Sequence, residues 1–267
     1  AVLRDHKVEY IAHFAASTVV PESVSDPLRY YHNNTVNTHA LVTAALAAKV
    51  RGFVFSSTAA VYGVPQSELV REDAPLAPIS PYGASKLMSE RILCDVNVAY
   101  DLPIAILRYF NVAGADPGCR SGQATPRATH LLKACIETVL GVRDRVEIFG
   151  DDYDTPDGTG VRDYIHVSDL IAAHLAALDR QRAGGRRLIY NCGYGRGYSV
   201  REVVAAVEHI AGSRVRLAIA PRRVGDAAQV VADASALRAE LGWAPRYDDL
   251  RTIVKHALAW ERSRLKA

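Results

Sequence analysis

Residues 53–63 read FVFSSTAAVYG, an apolar run that passes directly into Ser56, Ser57 and Thr58. An open parallel sheet exposes its polar groups at the carboxyl ends of its strands, so this segment predicts a buried strand with a hydroxyl edge. Further on, residues 80–86 read SPYGASK, with Pro81 at a helix start. Tyr82 and Lys86 then lie one helical turn apart and share a face, and Thr58 can meet Tyr82 at the sheet edge. A tyrosine has an unperturbed pKa of about 10, too high for a base at neutral pH, and a nearby cation favours its phenolate. Lys86 is the candidate cation. A phenolate beside a hydroxyl that orients an alcohol is the apparatus of alcohol oxidation or its reverse.

Working outward, Glu9–Phe14 reads as a buried strand and Pro21–Val50 as a long helical stretch closed by Gly52. Phe53–Ser57 is the next strand, Pro81–Tyr100 a helix and Leu102–Arg108 another strand. The order β-α-β-α-β implies an α/β protein with a Rossmann-like, doubly wound parallel sheet. A second part begins near Ala113. Pro, Gly and Ser mark a loop over Asp116–Gly122 ahead of a helix over Ala128–Leu140, and Gly150–Gly160 reads as another loop. Short strands are expected at Val161–Val167, Leu188–Asn191 and Val215–Ile219, with helices at Ser168–Arg180, Ser199–Ala211 and Tyr247–Leu265. This mixed α/β lobe is expected to cap the carboxyl edge of the sheet.

With 267 residues, 49% of them apolar, the chain can build a nucleotide domain and a smaller lobe. Its formal charge of +3 comes without a Lys/Arg block, which argues against nucleic acid as a partner. Cys94, Cys119, Cys135 and Cys192 lie far apart without a C-x-x-C, so neither a metal site nor a disulfide framework is signalled and buried thiols are expected. Apolar runs such as Ile11–Val20 are too short and too polar to span a bilayer, so a cytoplasmic protein without a membrane partner is expected.

The hydroxyl strand end, the Tyr-x-x-x-Lys pair and Arg108-Tyr-Phe-Asn-Val-Ala-Gly114 together resemble the extended short-chain dehydrogenase/reductase family. The likeness is nearest to its UDP-glucose 4-epimerases. It runs in order from His13-Phe-Ala-Ala16 through Pro27-Leu-Arg-Tyr-Tyr-His-Asn-Asn34 and Gly158-Thr-Gly-Val-Arg-Asp-Tyr-Ile-His166 to Ala220-Pro-Arg-Arg-Val-Gly-Asp226. The resemblance implies a NAD-binding Rossmann domain over 1–112 and a UDP-sugar domain over 113–267, with part of 161–195 packing back on the Rossmann sheet. The strand, Gly-rich turn and helix that open such a domain are not in this sequence. We therefore expect roughly 60 to 70 residues, about two βα units, ahead of Ala1.

Residue by residue, the resemblance implies Thr58, Tyr82 and Lys86 as the catalytic set. Phe14, Ala15, Ala16, Asn33, Ser56 and Tyr109 join Tyr82 and Lys86 around NAD. Phe110, Asn111, His130, Leu131, Phe149, Arg162, Tyr164, Arg223, Asp226 and Val230 line the UDP-sugar site with Thr58 and Tyr82. Arg162 and Arg223 are the expected diphosphate clamps, since guanidinium forks match phosphate oxygens, although both could instead form surface ion pairs with Asp163 or Asp226 as partners. Asp226 is the acid for the uridine ribose and Phe149 the wall of the uracil pocket.

The sequence departs from the family pattern in places. Thr18 replaces a lysine near the cofactor, His130 replaces an Asn, and Lys133 stands where Pro is common. Val230 is small where enzymes restricted to UDP-glucose and UDP-galactose are bulky, which implies room for N-acetylated sugars. Dehydratases and decarboxylases of the family often carry a carboxylate just after the Thr, whereas Ala59 and Ala60 follow Thr58 here, so elimination lacks its proton donor. Oxidation and re-reduction at C4 of a UDP-hexose remain. A 4-epimerase of UDP-pentoses or UDP-uronic acids, and a non-catalytic nucleotide-sugar-binding module, are the alternatives. A homodimer through the helices after Pro21 and Pro81 is a further family expectation.

Overall fold

The computed structural model describes residues 1–125, 128–223 and 225–265. In chain order these form α1 (Val2–Asp5), β1 (Tyr10–His13), α2 (Val20–Ser25), α3 (Pro27–Tyr30), a π-helical segment (Tyr31–Val36), α4 (Asn37–Ala47), β2 (Gly52–Thr58), α5 (Pro81–Tyr100), β3 (Ile104–Tyr109) and β4 (Asn111–Ala113). There follow α6 (Leu131–Val139), β5 (Val146–Phe149), β6 (Val161–His166), α7 (Val167–Arg182), β7 (Arg187–Cys192), β8 (Gly197–Ser199), α8 (Val200–Ala211), β9 (Leu217–Ala220), β10 (Gln229–Val230), α9 (Ser235–Leu241) and α10 (Leu250–Arg264).

The principal sheet is wholly parallel, in the order β1-β2-β3-β7. Phe53, Val54 and Phe55 on β2 and Ile104 to Leu107 on β3 are buried on both sheet faces. That explains why these strands read as continuous apolar runs, since helices cover both sides of a central parallel strand. One face packs against α4 and α5, through Val42, Ala45 and Leu93. The other packs against α7 and merges into a larger core that includes α6, α8 and α10. The register sets Thr58 level with Tyr109, and Tyr109 level with Cys192. Three strand ends thus finish along one edge.

Several sequence expectations are corrected. The strand expected at Glu9–Phe14 is shorter, Tyr10–His13, and half-buried, and among the described residues it pairs with β2. The single helix expected over Pro21–Val50 is broken. Asp26 adopts φ −137°, caps Pro27–Tyr30 by accepting from the Arg29 N–H, and the backbone then widens into the π-helical turn. There the Asn34 carbonyl accepts from both the Thr38 and the Ser89 hydroxyls, side-chain donors that occupy a carbonyl within the helical ladder. The helix placed at Ala128–Leu140 starts at Leu131, the one at Tyr247–Leu265 starts after the Asp249 cap, and the strand at Val215–Ile219 is Leu217–Ala220. Strands β4, β8 and β10 and helix α9 are too short to carry a periodic signal. Cys94 and Cys119 are only partly buried, unlike Cys135 and Cys192.

The lobe over the sheet edge contains the parallel pair β5-β9 and a sheet β10-β6-β4, with β8 antiparallel to β6. Among the described residues, no helix is long and apolar enough to cross a membrane.

Candidate active site

Helix α5 starts where Ser80 accepts from the Gly83 N–H at 3.2 Å, with Pro81 preset for the first turn. A side chain on Gly83 would lie 2.5 Å from the Ala60 carbonyl oxygen. Only glycine therefore lets the first turn of α5 press against the turn that follows β2. This contact brings Tyr82 to the end of β2, where it lines one cavity with Thr58. Burial raises the Tyr82 pKa, and the Thr58 hydroxyl beside it opposes that rise.

Lys86 lies one turn along, 3% exposed, with its ammonium 4.3 Å from the centre of the Phe55 ring. Burial pulls its pKa down to about 8, and Glu90 on the next turn counters this.

A buried network holds this corner. Arg108 donates to both Glu90 oxygens, at 3.1 and 2.8 Å, and to the Tyr62 hydroxyl at 2.8 Å, while Ser57 donates to Glu90. Tyr62 in turn donates to Asn191 Oδ1 at 2.7 Å. Burial alone works against the Arg108 charge, and the Glu90 contacts outweigh it. The strand end carrying Thr58 and the helix carrying Lys86 are thereby tied to β3 and β7.

These groups open onto a cavity of about 1290 Å³. Of the residues expected around the cofactor, Phe14, Ala16, Ser56, Tyr82, Lys86 and Tyr109 line it. The Tyr109 hydroxyl lies between Ser56 and His174, and Phe14 packs on the His174 ring with centroids 4.9 Å apart. Ala15 is exposed and does not line the cavity. Asn33 is also outside the lining: its amide donates to the Ser17 hydroxyl at 2.9 Å and accepts from Asn37 at 3.2 Å. Its neighbour Asn34, which the sequence did not single out, clamps the chain after β1 by accepting from the Ser17 N–H at 2.8 Å and donating to Ser85 at 3.0 Å.

On the other side, Phe110, Asn111, His130, Leu131, Phe149, Arg162, Tyr164, Arg223, Asp226 and Val230 all line the same cavity. Asn111 and Tyr164 are register partners, and burial raises the Tyr164 pKa while the Asn111 side chain opposes that rise. His130 precedes α6, opens to the cavity, and has its pKa lowered by desolvation. Arg162 pairs with Asp226, the ion pair weighed from sequence, and also donates to the Val161 carbonyl at 2.8 Å. Asp163 is not its partner. That carboxylate is fully buried and accepts the Tyr194, Gly195 and Ala232 N–H groups, with burial raising its pKa to about 6. The Arg223 guanidinium stacks 3.7 Å over the Phe149 ring. Lys133 is buried, bridging Glu261 at 2.6 Å and Glu137 at 3.3 Å. Tyr153 also lines the cavity and was not foreseen, since one tyrosine in a polar loop carries no periodic or motif signal.

Among the described residues, no cluster of three or more His, Cys, Asp or Glu side chains could hold a metal ion. The donor set suits a nicotinamide cofactor instead: an exposed aromatic at Phe14, hydroxyls at Ser56, Tyr82 and Tyr109, and a buried cation at Lys86, all at the carboxyl edge of a parallel sheet.

The family model described as "NAD dependent epimerase/dehydratase family" matches residues 1–193. A UDP-glucose 4-epimerase of Azospirillum brasilense is 58% identical over 98% of this chain and 75% of its own length. A UDP-glucose 4-epimerase structure from Stenotrophomonas maltophila, with bound NAD and formylated UDP-arabinopyranose, superposes with a TM-score of 0.95 at 40% identity, covering 99% of this chain and 79% of that one. The UDP-Glc/GlcNAc 4-epimerase of Campylobacter jejuni gives a TM-score of 0.83 at 49% identity, over 98% of this chain and 80% of that one. With the Thr58–Tyr82 contact and the parallel sheet that positions it, these likenesses make the chain a member of the UDP-glucose 4-epimerases, within the extended short-chain dehydrogenase/reductase family.

Proposed function

We propose that the protein interconverts UDP-glucose and UDP-galactose by transient oxidation and re-reduction at C4. The observation that carries this reading is the Thr58–Tyr82 contact at one end of a cavity whose other wall presents Arg162, Arg223 and Asp226. One end is built for a proton and the other for a nucleotide diphosphate.

Phe14, Ala16, Ser56, Lys86 and Tyr109 would hold NAD, which when bound accepts the C4 hydride and returns it. Thr58 holds the 4-hydroxyl by hydrogen bonding, and Tyr82 takes its proton through the phenol oxygen. Lys86 supplies the positive charge on that side of the cavity. Arg162 and Arg223 keep the diphosphate while the 4-keto sugar turns over within the cavity, so that the proton from Tyr82 returns with the configuration at C4 inverted. Elimination is disfavoured because Ala59 and Ala60, not a carboxylate, follow Thr58, and the carboxylates in the lining, Glu147, Asp226 and Glu261, belong to β5, the β9–β10 connection and α10.

We further propose that UDP-N-acetylglucosamine and UDP-N-acetylgalactosamine are accepted, since Val230 at the cavity wall leaves more room than a large aromatic. Division into a NAD-binding domain over 1–112 and a UDP-sugar domain over 113–267, a homodimer, a cytoplasmic location and a role in galactose metabolism complete the reading. The homodimer is supported by Val24, Leu28, Met88 and Val98, which are exposed on α2, α3 and α5.

The test is to incubate the full-length protein with UDP-glucose and NAD and follow C4 inversion by proton NMR. Appearance of UDP-galactose supports the proposal, and an unchanged spectrum at saturating substrate sinks it.

A further inference from the structure

Tyr153 sits in the loop after β5, and its residue surface is 7% exposed. The Arg222 guanidinium lies 4.2 Å from its ring centre and donates through Nε to Asp152 Oδ1 at 2.6 Å. The ring is therefore held in place. Its hydroxyl, however, is buried and has no hydrogen-bond partner among the described residues. An orphaned buried hydroxyl is uncommon, because leaving such a group unmade costs more than making its bond gains.

Tyr153 lines the same cavity as Asp226 and Arg162, which are engaged with each other. Arg223 is likewise engaged, stacked over Phe149. The two guanidinium groups proposed to hold a nucleotide diphosphate thus each have a partner within the protein, Asp226 for Arg162 and the Phe149 ring for Arg223, and the Tyr153 hydroxyl is left over. A diphosphate that draws Arg162 away strips Asp226 of its cation. A carboxylate has about four lone-pair sites, and two ribose hydroxyls leave some of them unfilled once the ligand excludes water.

We propose that Tyr153 is a positioning residue for the uridine end of the substrate: its hydroxyl donates to the Asp226 carboxylate once the diphosphate has taken Arg162. Asp226 then stays oriented toward the ribose. Burial keeps the phenol protonated at neutral pH, as a donor must be. The inference rests on the reading of the cavity as a UDP-sugar site.

The test measures UDP affinity by titration calorimetry, melting temperature, and steady-state kinetics for the full-length protein, Tyr153→Phe, Asp226→Asn and the double variant. Tyr153→Phe is expected to melt at the same or a higher temperature, since it discards an unpaired hydroxyl and keeps the ring beneath Arg222. Its Kd for UDP should rise about tenfold, the scale of one hydrogen bond to a charged acceptor, with KM rising in step and kcat changing much less. In the Asp226→Asn background the same substitution should change Kd by less than about twofold, because residues acting through one contact are not additive. An unchanged Kd in Tyr153→Phe, or an equal loss in the Asp226→Asn background, overturns the role of Tyr153 while leaving the UDP-sugar reading intact. No UDP binding by the unaltered protein overturns both.

Discussion

The Lys86 ammonium lies 4.3 Å from the centre of the Phe55 ring, one helical turn from the Tyr82 phenol. Burial brings its pKa down to about 8, so it carries its charge at pH 7 and loses it under mildly alkaline conditions. Replacing Lys86 with Met removes a buried cation one helical turn from the proton carrier. We expect kcat at pH 7 to fall by about 10²-fold or more, with the rate rising toward alkaline pH, where a less acidic phenol ionises. A pH–rate profile checks this, and an unshifted profile at full rate would refute the role of Lys86.

Tyr82→Phe keeps the ring and discards the proton carrier. Turnover should drop by about 10²- to 10⁴-fold, the range of general acid–base catalysis. The melting temperature should change little, which separates loss of chemistry from loss of fold. Turnover within about threefold of the unaltered protein would remove Tyr82 from the mechanism.

Val230→Tyr should narrow the sugar range. The expected outcome is a fall in kcat/KM for UDP-N-acetylglucosamine of about 10-fold or more, with kcat/KM for UDP-glucose affected much less. Parallel assays of both sugars decide the matter, and unchanged discrimination would show that this wall does not select.

Glu90 and Arg108 are 3% exposed each and joined at 2.8 Å. Glu90→Ala leaves a buried guanidinium without its counter-charge, which costs about 3–5 kcal/mol. Urea unfolding should show the loss as a lower midpoint. Replacing the pair together, Glu90→Leu with Arg108→Met, should recover most of it, because the unpaired charge and not the missing pair is what destabilises.

Acid should weaken the fold through buried histidines. Burial, with Lys86 adding to it, lowers His13 from 6.5 to about 4, and burial with His256 does the same for His166. The unfolded chain then binds more protons than the native one between those values, so stability present above pH 6.5 is lost as pH falls toward 4. Asp163, raised from 3.8 to about 6, works in the opposite sense, and its contribution is lost as pH rises through 6. His13→Asn isolates one side of this balance: its melting temperature should fall less steeply below pH 6.5 than that of the unaltered protein. Parallel slopes would rule out His13 as a contributor.

The strands β2 and β3 were legible because central parallel strands are buried on both faces and must be apolar throughout. Helix α5 was legible from its Ser80–Pro81 start, a local signal that needs no tertiary contact. The helix after β1 was not. It breaks at Asp26, and the Asn34 carbonyl in its π-helical turn accepts from Ser89, a residue on α5 that is distant in sequence. Asn33 resembled a cofactor contact and lies instead against Ser17, whereas the neighbouring Asn34 takes the buried position.

The sequence by itself determined the parallel α/β class, with Thr58 at the end of a strand and Tyr82 and Lys86 one turn apart at the start of a helix, because these follow from short-range periodicity and from where a strand must end. Tertiary structure alone decided which charges meet. That Lys86 faces Phe55, that Arg162 holds Asp226 and that Tyr153 is left without a partner depend on distances between elements far apart in the chain. Electrostatic energy varies with distance and local dielectric, and neither is written in residue order.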